Sequence, residues 1–198
     1  MENYVITISR QYGAHGRSVA RKLSEILDIA FWDRDIVEGA AARMGKTIHS
    51  VGDLDEQEMS AYRSALRPSK PNRASYSISD ELFDTESSII RDAAALDSCI
   101  IVGRCGDYIL RDHPRRLSVY LYADTEKRIE YCMSSFELNE KAARKKVRVI
   151  DRARFNYHRR YTAGLSERDL QDMMLDTGRF GVERTAEIIA EAVRRLFF

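Results

Sequence analysis

The sequence predicts an α/β fold in which a parallel sheet is covered by helices on both faces. Short β-branched, apolar runs that are typical of buried strands alternate with segments whose apolar residues recur at helical spacing. A turn with two glycines also separates the first strand from the first helix, the order found in phosphate-binding loops. The length of 198 residues suits one domain with its own core.

The individual elements follow from these patterns in chain order. The first strand is predicted at 4–9, and a helix follows the glycine turn. Asp124 and Thr125 offer N-cap oxygens for one later helix, while Asn139 caps and Gly164 ends another. Further strands are predicted at 29–33, 99–103, 117–123 and 173–176, and further helices at 34–44, 79–96, 139–162 and 182–196.

Residues 45–97 differ in character from the rest of the chain. Two of the three prolines, Pro68 and Pro71, lie there in a polar, serine-rich stretch. This stretch, at 64–78, is predicted to be a long loop. Loops of that length in a compact domain are usually functional or disordered.

Composition excludes several classes of protein. A net charge of +1 gives no overall attraction to nucleic acid or to an anionic membrane, and no apolar run reaches the length of a membrane span. The first strand begins almost at once, which leaves no room for a secretory signal. The three cysteines have neither disulfide-framework nor zinc-ligand spacing. We therefore expect a reduced, cytoplasmic protein.

Residues 11–18, hereafter the phosphate loop, carry the clearest functional signal. In the pattern G-x-x-x-x-G-K-[ST], Gly16 and Ser18 match, whereas Gln11 replaces the first glycine and Arg17 replaces the lysine. A tight turn without a ligand is the alternative. Phosphate binding is favoured because main-chain amides at a helix N-terminus form the cradle, and Ser18 stands in the magnesium-ligand position.

Arginine in the lysine position changes the chemistry of the loop. A guanidinium group is a planar fork, whereas an ammonium group is a compact point charge. Arg17 could neutralise the β- and γ-phosphates of a nucleotide in bidentate fashion. It could also point outward and leave that role to Arg10 or to another basic group.

Five segments together resemble the cytidylate kinase-like family of P-loop kinases, and they extend over essentially the whole chain. They are "ITISRQYGAHGRSVARKL", "FWDRDIV", "IIVGRCGDYIL", "IDRARFNYHRRYTAG" and "LDTGRFGVERTAEII". The resemblance implies a P-loop NTPase-type sheet in a single domain, 1–198. It also implies a helical acceptor-binding insertion within 34–97 and an arginine-rich helical lid within 134–168.

The resemblance also implies site residues, with ATP and Mg²⁺ as the cofactors. It assigns the ATP phosphates to Gly13, Ala14, His15, Gly16, Arg17 and Ser18, with Ser18 on Mg²⁺. It places Asp176 and Thr177 beside the adenine, and it assigns the acceptor to Asp33, Arg34 and Arg104. Cys105 follows Arg104 where cytidylate kinases carry an acidic residue, so the choice of base stays open.

The helix predicted at 139–162 is strongly basic. Nine Lys and Arg residues lie between positions 139 and 160. A solvated charged face and a nucleic-acid-binding stripe are two interpretations of such a run. The third is a kinase lid that closes on the phosphoryl group, with Arg152, Arg154 and Arg159 as catalytic residues alongside Arg17.

The predicted function is ATP-dependent phosphoryl transfer to a small molecule, most simply a nucleoside monophosphate such as CMP or dCMP. An acceptor phosphate is already anionic and needs no general base, which fits a chain rich in arginine at its predicted site. Two alternatives stay open. One is a kinase for a small-molecule hydroxyl, with Asp33 or Asp35 taking the proton. The other is a nucleotide-binding regulator with weak or no turnover. We expect neither nucleic acid nor membrane as a partner.

Overall fold

A computed structural model describes residues 2–46 and 78–198 of the chain. Five strands form one sheet in the order β2-β3-β1-β4-β5, and every pair of neighbours is parallel. The strands are β1 (Val5–Arg10), β2 (Ala30–Trp32), β3 (Cys99–Val102), β4 (Arg116–Tyr122) and β5 (Met173–Asp176). The predicted parallel α/β sheet is confirmed.

Seven α-helices and one 3₁₀ turn connect the strands in the described part of the chain. The helices are α1 (Gly16–Leu27), α2 (Arg34–Arg43), α3 (Ile78–Leu96), α4 (Gly106–Ile109), α5 (Thr125–Phe136), α6 (Glu140–Tyr161) and α7 (Thr177–Phe197), with the 3₁₀ turn at Glu167–Leu170. The predicted caps are confirmed, since the side chains of Asp124 and Asn139 accept bonds from the amides of Glu126 and Ala142.

Two elements differ from their predictions. The last helix begins at Thr177, five residues before its predicted start, and Gly181 with φ 74° interrupts its first part. This break removes the helical periodicity that would have revealed the first turn. The helix α4 is only four residues long, too short for a periodic signal. The loop predicted at 64–78 lies outside the described residues, apart from residue 78 where α3 begins.

Alternate residues of the central strands face two separate cores. Val5 and Ile101 face a core built with α2 and α3, whereas Ile6 and Ile100 face the core built with α1 and α7. All four are fully buried. Because a buried Val or Ile contributes about 1.5–3 kcal/mol, burial on both faces fixes the register of these strands.

The strand order opens a crevice at the carboxyl end of β1. The chain leaves β1 toward β2 on one side, and after β3 it crosses to β4 on the other side. Ligands of open parallel sheets bind at such a reversal point, outside the carboxyl ends of the strands. The loops that follow β1, β2 and β3 therefore define the candidate site.

A smaller core joins α5 to α6 beside this crevice. Ile129 and Cys132 of α5 pack with Ala143 and Val147 of α6. The long basic helix is thereby fixed at its N-terminal half to a helix that follows β4. Among the described helices, none is both long and apolar enough to cross a membrane.

Candidate functional site

The phosphate loop leaves main-chain amides available for an anion. The strand β1 ends at Arg10 and α1 begins at Gly16, with Gly13 and His15 in left-handed conformations at φ 80° and φ 55°. The first helical bond runs from the Val19 amide to the His15 carbonyl, 2.9 Å away. The amides of the first turn of α1 therefore have no intrahelical acceptor, which is the arrangement that binds phosphate.

Neighbouring strands hold the phosphate loop in place. The Gln11 amide donates to the Leu121 carbonyl of β4 over 3.0 Å, and Gln11 Oε1 accepts a 3.2 Å bond from the Ala123 amide. The Thr177 hydroxyl donates to the Ala14 carbonyl over 3.1 Å. Gln11, where the common pattern has glycine, thus fastens the loop to the end of β4.

An aromatic cluster covers one flank of the phosphate loop. The His15 ring lies 4.1 Å from the Tyr131 ring, and Tyr12 stacks against Phe136 at 6.1 Å. The Lys146 ammonium lies 4.7 Å from the centre of the Phe136 ring. Burial lowers the pKa of His15, which favours its neutral form beside these rings.

Two arginines converge on one carboxylate at the end of β2. Arg17 Nε lies 3.2 Å from one oxygen of Asp33, and Arg10 Nη2 lies 3.9 Å from the other. The Arg17 side chain is 52% exposed, whereas that of Arg10 is 22% exposed. The structure thus brings the predicted residues Arg17 and Asp33 into contact, and it adds Arg10.

The loop after β3 has an uncommon backbone. Gly103, Arg104 and Cys105 follow one another with φ 76°, 54° and 54°. Left-handed non-glycine residues cost on the order of 1 kcal/mol or more each, and such positions cluster at functional sites. The loop directs Arg104 Nη1 to 3.5 Å from Glu86 Oε1, a fully buried carboxylate of α3.

One face of α6 docks on the end of β1 and the phosphate loop. Asp151 and Arg154 are one helical turn apart, and both contact main-chain atoms there. Asp151 Oδ1 accepts a 2.7 Å bond from the Tyr12 amide, and Arg154 Nη1 donates over 3.1 Å to the Arg10 carbonyl. The predicted lid helix is therefore tied to the segment that would hold the nucleotide phosphates.

The buried residue Arg128 completes this attachment from α5. Its Nη1 lies 2.5 Å from Asp151 Oδ2 and donates to the Tyr12 carbonyl over 3.1 Å. Its Nε donates to the Ala123 carbonyl over 3.1 Å. Both main-chain polar groups of Tyr12, its amide and its carbonyl, are thus held by one ion pair that joins α5 to α6.

A second buried carboxylate, Asp107, joins α6 to the sheet. Asp107 Oδ2 accepts bonds from Gln171 over 2.7 Å and from Ser9 over 3.2 Å, and it lies 3.3 Å from His158 Nε2. Burial works against the ionised form, but His158, the Tyr108 amide and Gln171 outweigh it. The pKa of Asp107 is therefore lower than usual.

The other predicted site residues occupy varied positions. Ser18 is exposed in the first turn of α1. Arg34 is exposed at the start of α2, and Arg152 and Arg159 are exposed on α6, away from its docked face. Asp176 caps α7 by accepting bonds from two amides. The roles predicted for these residues stay predictions.

Sequence reasoning missed four charged residues at this site. Arg128 in the first turn of α5 and Glu86 in the middle of α3 have no motif around them. Nothing in the sequence distinguishes Asp107 and Asp151 from ordinary surface acids. The available signal was spacing: Asp151, Arg154 and His158 recur at i, i+3 and i+7, a stripe of polar groups that faces inward.

Fold and site together define the class of protein. A five-stranded parallel sheet with a phosphate loop after its central strand is the architecture of P-loop kinases. The model of the cytidylate kinase-like family matches residues 5–179, and the chain belongs to that family. Membership supports a general phosphotransfer function.

Solved structures share this fold over nearly whole chains. An uncharacterized protein from Eubacterium ventriosum is 20% identical with a TM-score of 0.72, and the match covers 97% of this chain and 99% of that one. A shikimate kinase from Acinetobacter baumannii, in complex with shikimate, is 15% identical with a TM-score of 0.57, covering 98% and 94%.

A gluconokinase from Sinorhizobium meliloti is 11% identical with a TM-score of 0.50, and the match covers 100% of this chain and 99% of that one. A search of the curated proteins found no match. At these identities the structural matches establish the fold.

Proposed function

We propose that this protein transfers the γ-phosphoryl group of ATP to a small acceptor, with a nucleoside monophosphate such as CMP or dCMP first among the candidates. The observation that carries the proposal is the set of first-turn amides of α1 at the carboxyl end of the central strand, next to Arg17. Such amides bind phosphate through hydrogen bonds and the helix dipole.

The residues present fit a nucleotide with magnesium. The amides of Gly16, Arg17 and Ser18 would hold donor phosphates, and the Ser18 hydroxyl would be the protein ligand of Mg²⁺. Bound Mg²⁺ neutralises phosphate charge. Arg17 would neutralise the β- and γ-phosphates in place of the usual lysine.

The transfer itself requires little covalent chemistry from the protein. An oxygen of the acceptor phosphate forms a bond to the γ-phosphorus while the bond from that phosphorus to the β,γ-bridging oxygen breaks. ADP leaves with the electron pair, and no proton has to move because the acceptor oxygen is already anionic. The role of the protein is positioning and charge stabilisation.

Asp33, Arg34 and Arg104 are our candidates for the acceptor site. They follow β2 and β3, on the opposite side of β1 from β5 and the proposed adenine residues Asp176 and Thr177. Cationic side chains on that side suit an acceptor with a phosphate group. Membership of the cytidylate kinase-like family supports our choice of CMP and dCMP as the first acceptors to test.

A hydroxyl acceptor is the second candidate, and the position of Asp33 favours it. Its carboxylate stands at the end of β2, 3.2 Å from Arg17, where it could accept the proton of an alcohol. Two of the similar structures are kinases named for shikimate and gluconate rather than for a nucleotide. In this case the acceptor hydroxyl would lose its proton to Asp33 as the new P–O bond forms.

A coupled ADP-release assay tests the proposal. The panel contains nucleoside monophosphates, shikimate, gluconate and simple alcohols, each with ATP and Mg²⁺. We expect acceptor-dependent ADP production that falls roughly a hundredfold or more in Arg17→Ala. Arg21→Ala, an exposed arginine one turn further along α1, is the matched control and should stay near wild type.

The remaining outcomes separate the alternatives. A response to alcohols or hydroxy acids alone identifies a hydroxyl kinase. ATP binding in calorimetry without ADP release for any acceptor identifies a nucleotide-binding regulator. Unchanged turnover in Arg17→Ala contradicts the role of that residue.

A further inference from the structure

The side chain of Arg10 crosses the phosphate loop toward the predicted acceptor residues. Its aliphatic stem passes over the first turn of α1, where a Cβ built on Gly16 would stand 2.8 Å from Arg10 Cγ. Its guanidinium reaches the loop after β3, where a Cβ on Gly103 would overlap Arg10 Nη1. Its other terminal nitrogen lies 3.9 Å from Asp33 Oδ1. The guanidinium therefore stands among the carboxyl ends of β1, β2 and β3.

Two glycines form the passage that this side chain occupies. Gly103 has φ 76°, so its backbone favours glycine in any case. Gly16 is different, because it is not among the residues with positive φ and its backbone allows any side chain. A side chain at position 16 would therefore meet the stem of Arg10.

The main chain of Arg10 is fixed independently of its side chain. Arg10 pairs with Leu121 as the last residue of β1, and its carbonyl accepts the bond from Arg154. The guanidinium, at the end of a flexible stem, has Asp33 as one charged neighbour. A phosphate oxygen could replace that carboxylate without any change in the backbone.

We infer that Arg10 is a further catalytic residue, which binds the γ-phosphoryl group of the nucleotide from the acceptor side. The inference rests on the proposed function. The stem lies against the helix turn whose amides would hold the donor phosphates, and the guanidinium reaches the side of Asp33 and Arg104. The transferring group would lie between these two positions. Arg10 forms no covalent bond; it donates hydrogen bonds to oxygens whose negative charge spreads during transfer.

Arg10 and Arg17 have separable roles in this arrangement. Arg17 starts from the first turn of α1 and is half exposed, which suits contact with both the β- and γ-phosphates. Arg10 reaches the cleft from the opposite end of the loop. Loss of Arg17 should therefore weaken the binding of ATP and ADP alike, whereas loss of Arg10 should weaken only the binding of ATP.

Calorimetric titration of the full chain with ADP and with a non-hydrolysable ATP analogue, both with Mg²⁺, tests this inference. We expect Arg10→Ala to lower affinity for the ATP analogue about tenfold or more while its ADP affinity stays within about twofold of wild type. Arg10→Lys should show an intermediate loss, because an ammonium keeps the charge and loses the fork. Arg17→Ala is the comparison variant and Arg21→Ala the neutral control.

Arg10→Met provides a second variant, which keeps the aliphatic stem beside Gly16 and removes the guanidinium. Because the stem stays against the first turn of α1, we expect the same selective loss of affinity for the ATP analogue. Circular dichroism and thermal unfolding establish that each variant is folded. If Arg10→Ala does not fold, Arg10→Lys and Arg10→Met carry the test.

The results distinguish this inference from the proposed function. An equal loss for ADP and the ATP analogue, or no loss in either, overturns the role of Arg10. If Arg10→Ala selectively loses affinity for the ATP analogue but the wild-type protein shows no turnover, the role of Arg10 is supported and the proposed reaction is overturned. Turnover in the wild type with full turnover in Arg10→Ala supports the reaction and overturns the inference. A wild-type protein that binds neither nucleotide overturns both.

Discussion

The carboxylate of Asp151, near the middle of α6, accepts a 2.7 Å hydrogen bond from the main-chain amide of Tyr12 in the phosphate loop. Its second oxygen lies 2.5 Å from Arg128, whose guanidinium also donates to the Tyr12 carbonyl. Asp151 and Arg128 thereby hold both main-chain polar groups of Tyr12, in the predicted nucleotide site. These contacts attach the C-terminal half of α6 to the phosphate loop and the end of β1.

We predict that Asp151→Asn destabilises the fold by about 2 kcal/mol. Asparagine can still accept from the Tyr12 amide, but the buried Arg128 loses its counter-charge. Removing one partner of a buried pair costs about 3–5 kcal/mol, and the 28% exposure of the Asp151 side chain reduces this. Urea unfolding gives the free energy of unfolding.

The matched control is Glu126→Gln, which breaks the exposed pair that Glu126 forms with Arg144. Exposed ion pairs contribute little, so its urea midpoint should coincide with that of the wild type. Equal midpoints for Asp151→Asn and Glu126→Gln would show that the Asp151 pair is no more important than a surface contact.

We predict that ionisation of Asp107 makes the free energy of unfolding depend on pH. Because its pKa is lower in the folded chain than in the unfolded one, the ionised carboxylate stabilises the fold at pH values above the usual aspartate pKa. That contribution is lost as the pH falls through the folded-state pKa. Asp107→Asn should therefore be less stable than wild type at neutral pH, by about 2 kcal/mol for disturbed bonds to a buried charge.

Urea unfolding at a series of pH values, from about pH 7 to about pH 3, measures this difference. The gap between wild type and Asp107→Asn should narrow toward the acid end, as the Asp107 carboxylate takes up a proton. A gap that stays constant over the whole series would contradict the assignment of the ionised form to the folded state.

The fold was predictable because it depends on local patterns. Strand β1 and its glycine turn, the caps at Asp124 and Asn139, and the long helix α6 all leave contiguous signals in the sequence. The start of α7 left none, since Gly181 breaks its periodicity.

The candidate site was only partly predictable, because its contacts join distant segments. Arg17 and Asp33 are 16 positions apart and each stands in a recognisable block. Tyr12 and Asp151 are 139 positions apart, and only the folded chain brings them together. The direction of the Arg10 side chain depends on two glycines in different loops, a relationship that no single motif contains.

We predict that the ring of Tyr161 matters more than its hydroxyl. The ring stacks on Phe83 of α3 at 4.0 Å with a 10° tilt, while the hydroxyl donates to Asp80 over 3.0 Å. Tyr161→Phe keeps the stack and should cost less than about 1 kcal/mol. Tyr161→Ala removes the stack between α3 and α6 and should cost about 2 kcal/mol at this partly exposed position.

Thermal and urea unfolding of both variants check this order. The Phe variant is the matched control, since it removes one oxygen and leaves the aromatic contact. A larger loss for Tyr161→Phe than for Tyr161→Ala would mean that the hydrogen bond to Asp80, and not the stack, joins the two helices.

Arg104 allows the structural and functional roles of one residue to be separated. Arg104→Met removes a charged neighbour of the fully buried Glu86, and we expect a loss of about 3 kcal/mol. Combining it with Glu86→Gln removes the buried charge as well, so the double variant should be more stable than the sum of the two single losses predicts. The coupling energy should be about 1–3 kcal/mol.

If Arg104 also binds the acceptor, the double variant will recover stability while its KM for the acceptor stays raised. Recovery of both would assign Arg104 a purely structural role, and additive losses would show that its pairing with Glu86 contributes nothing to the fold.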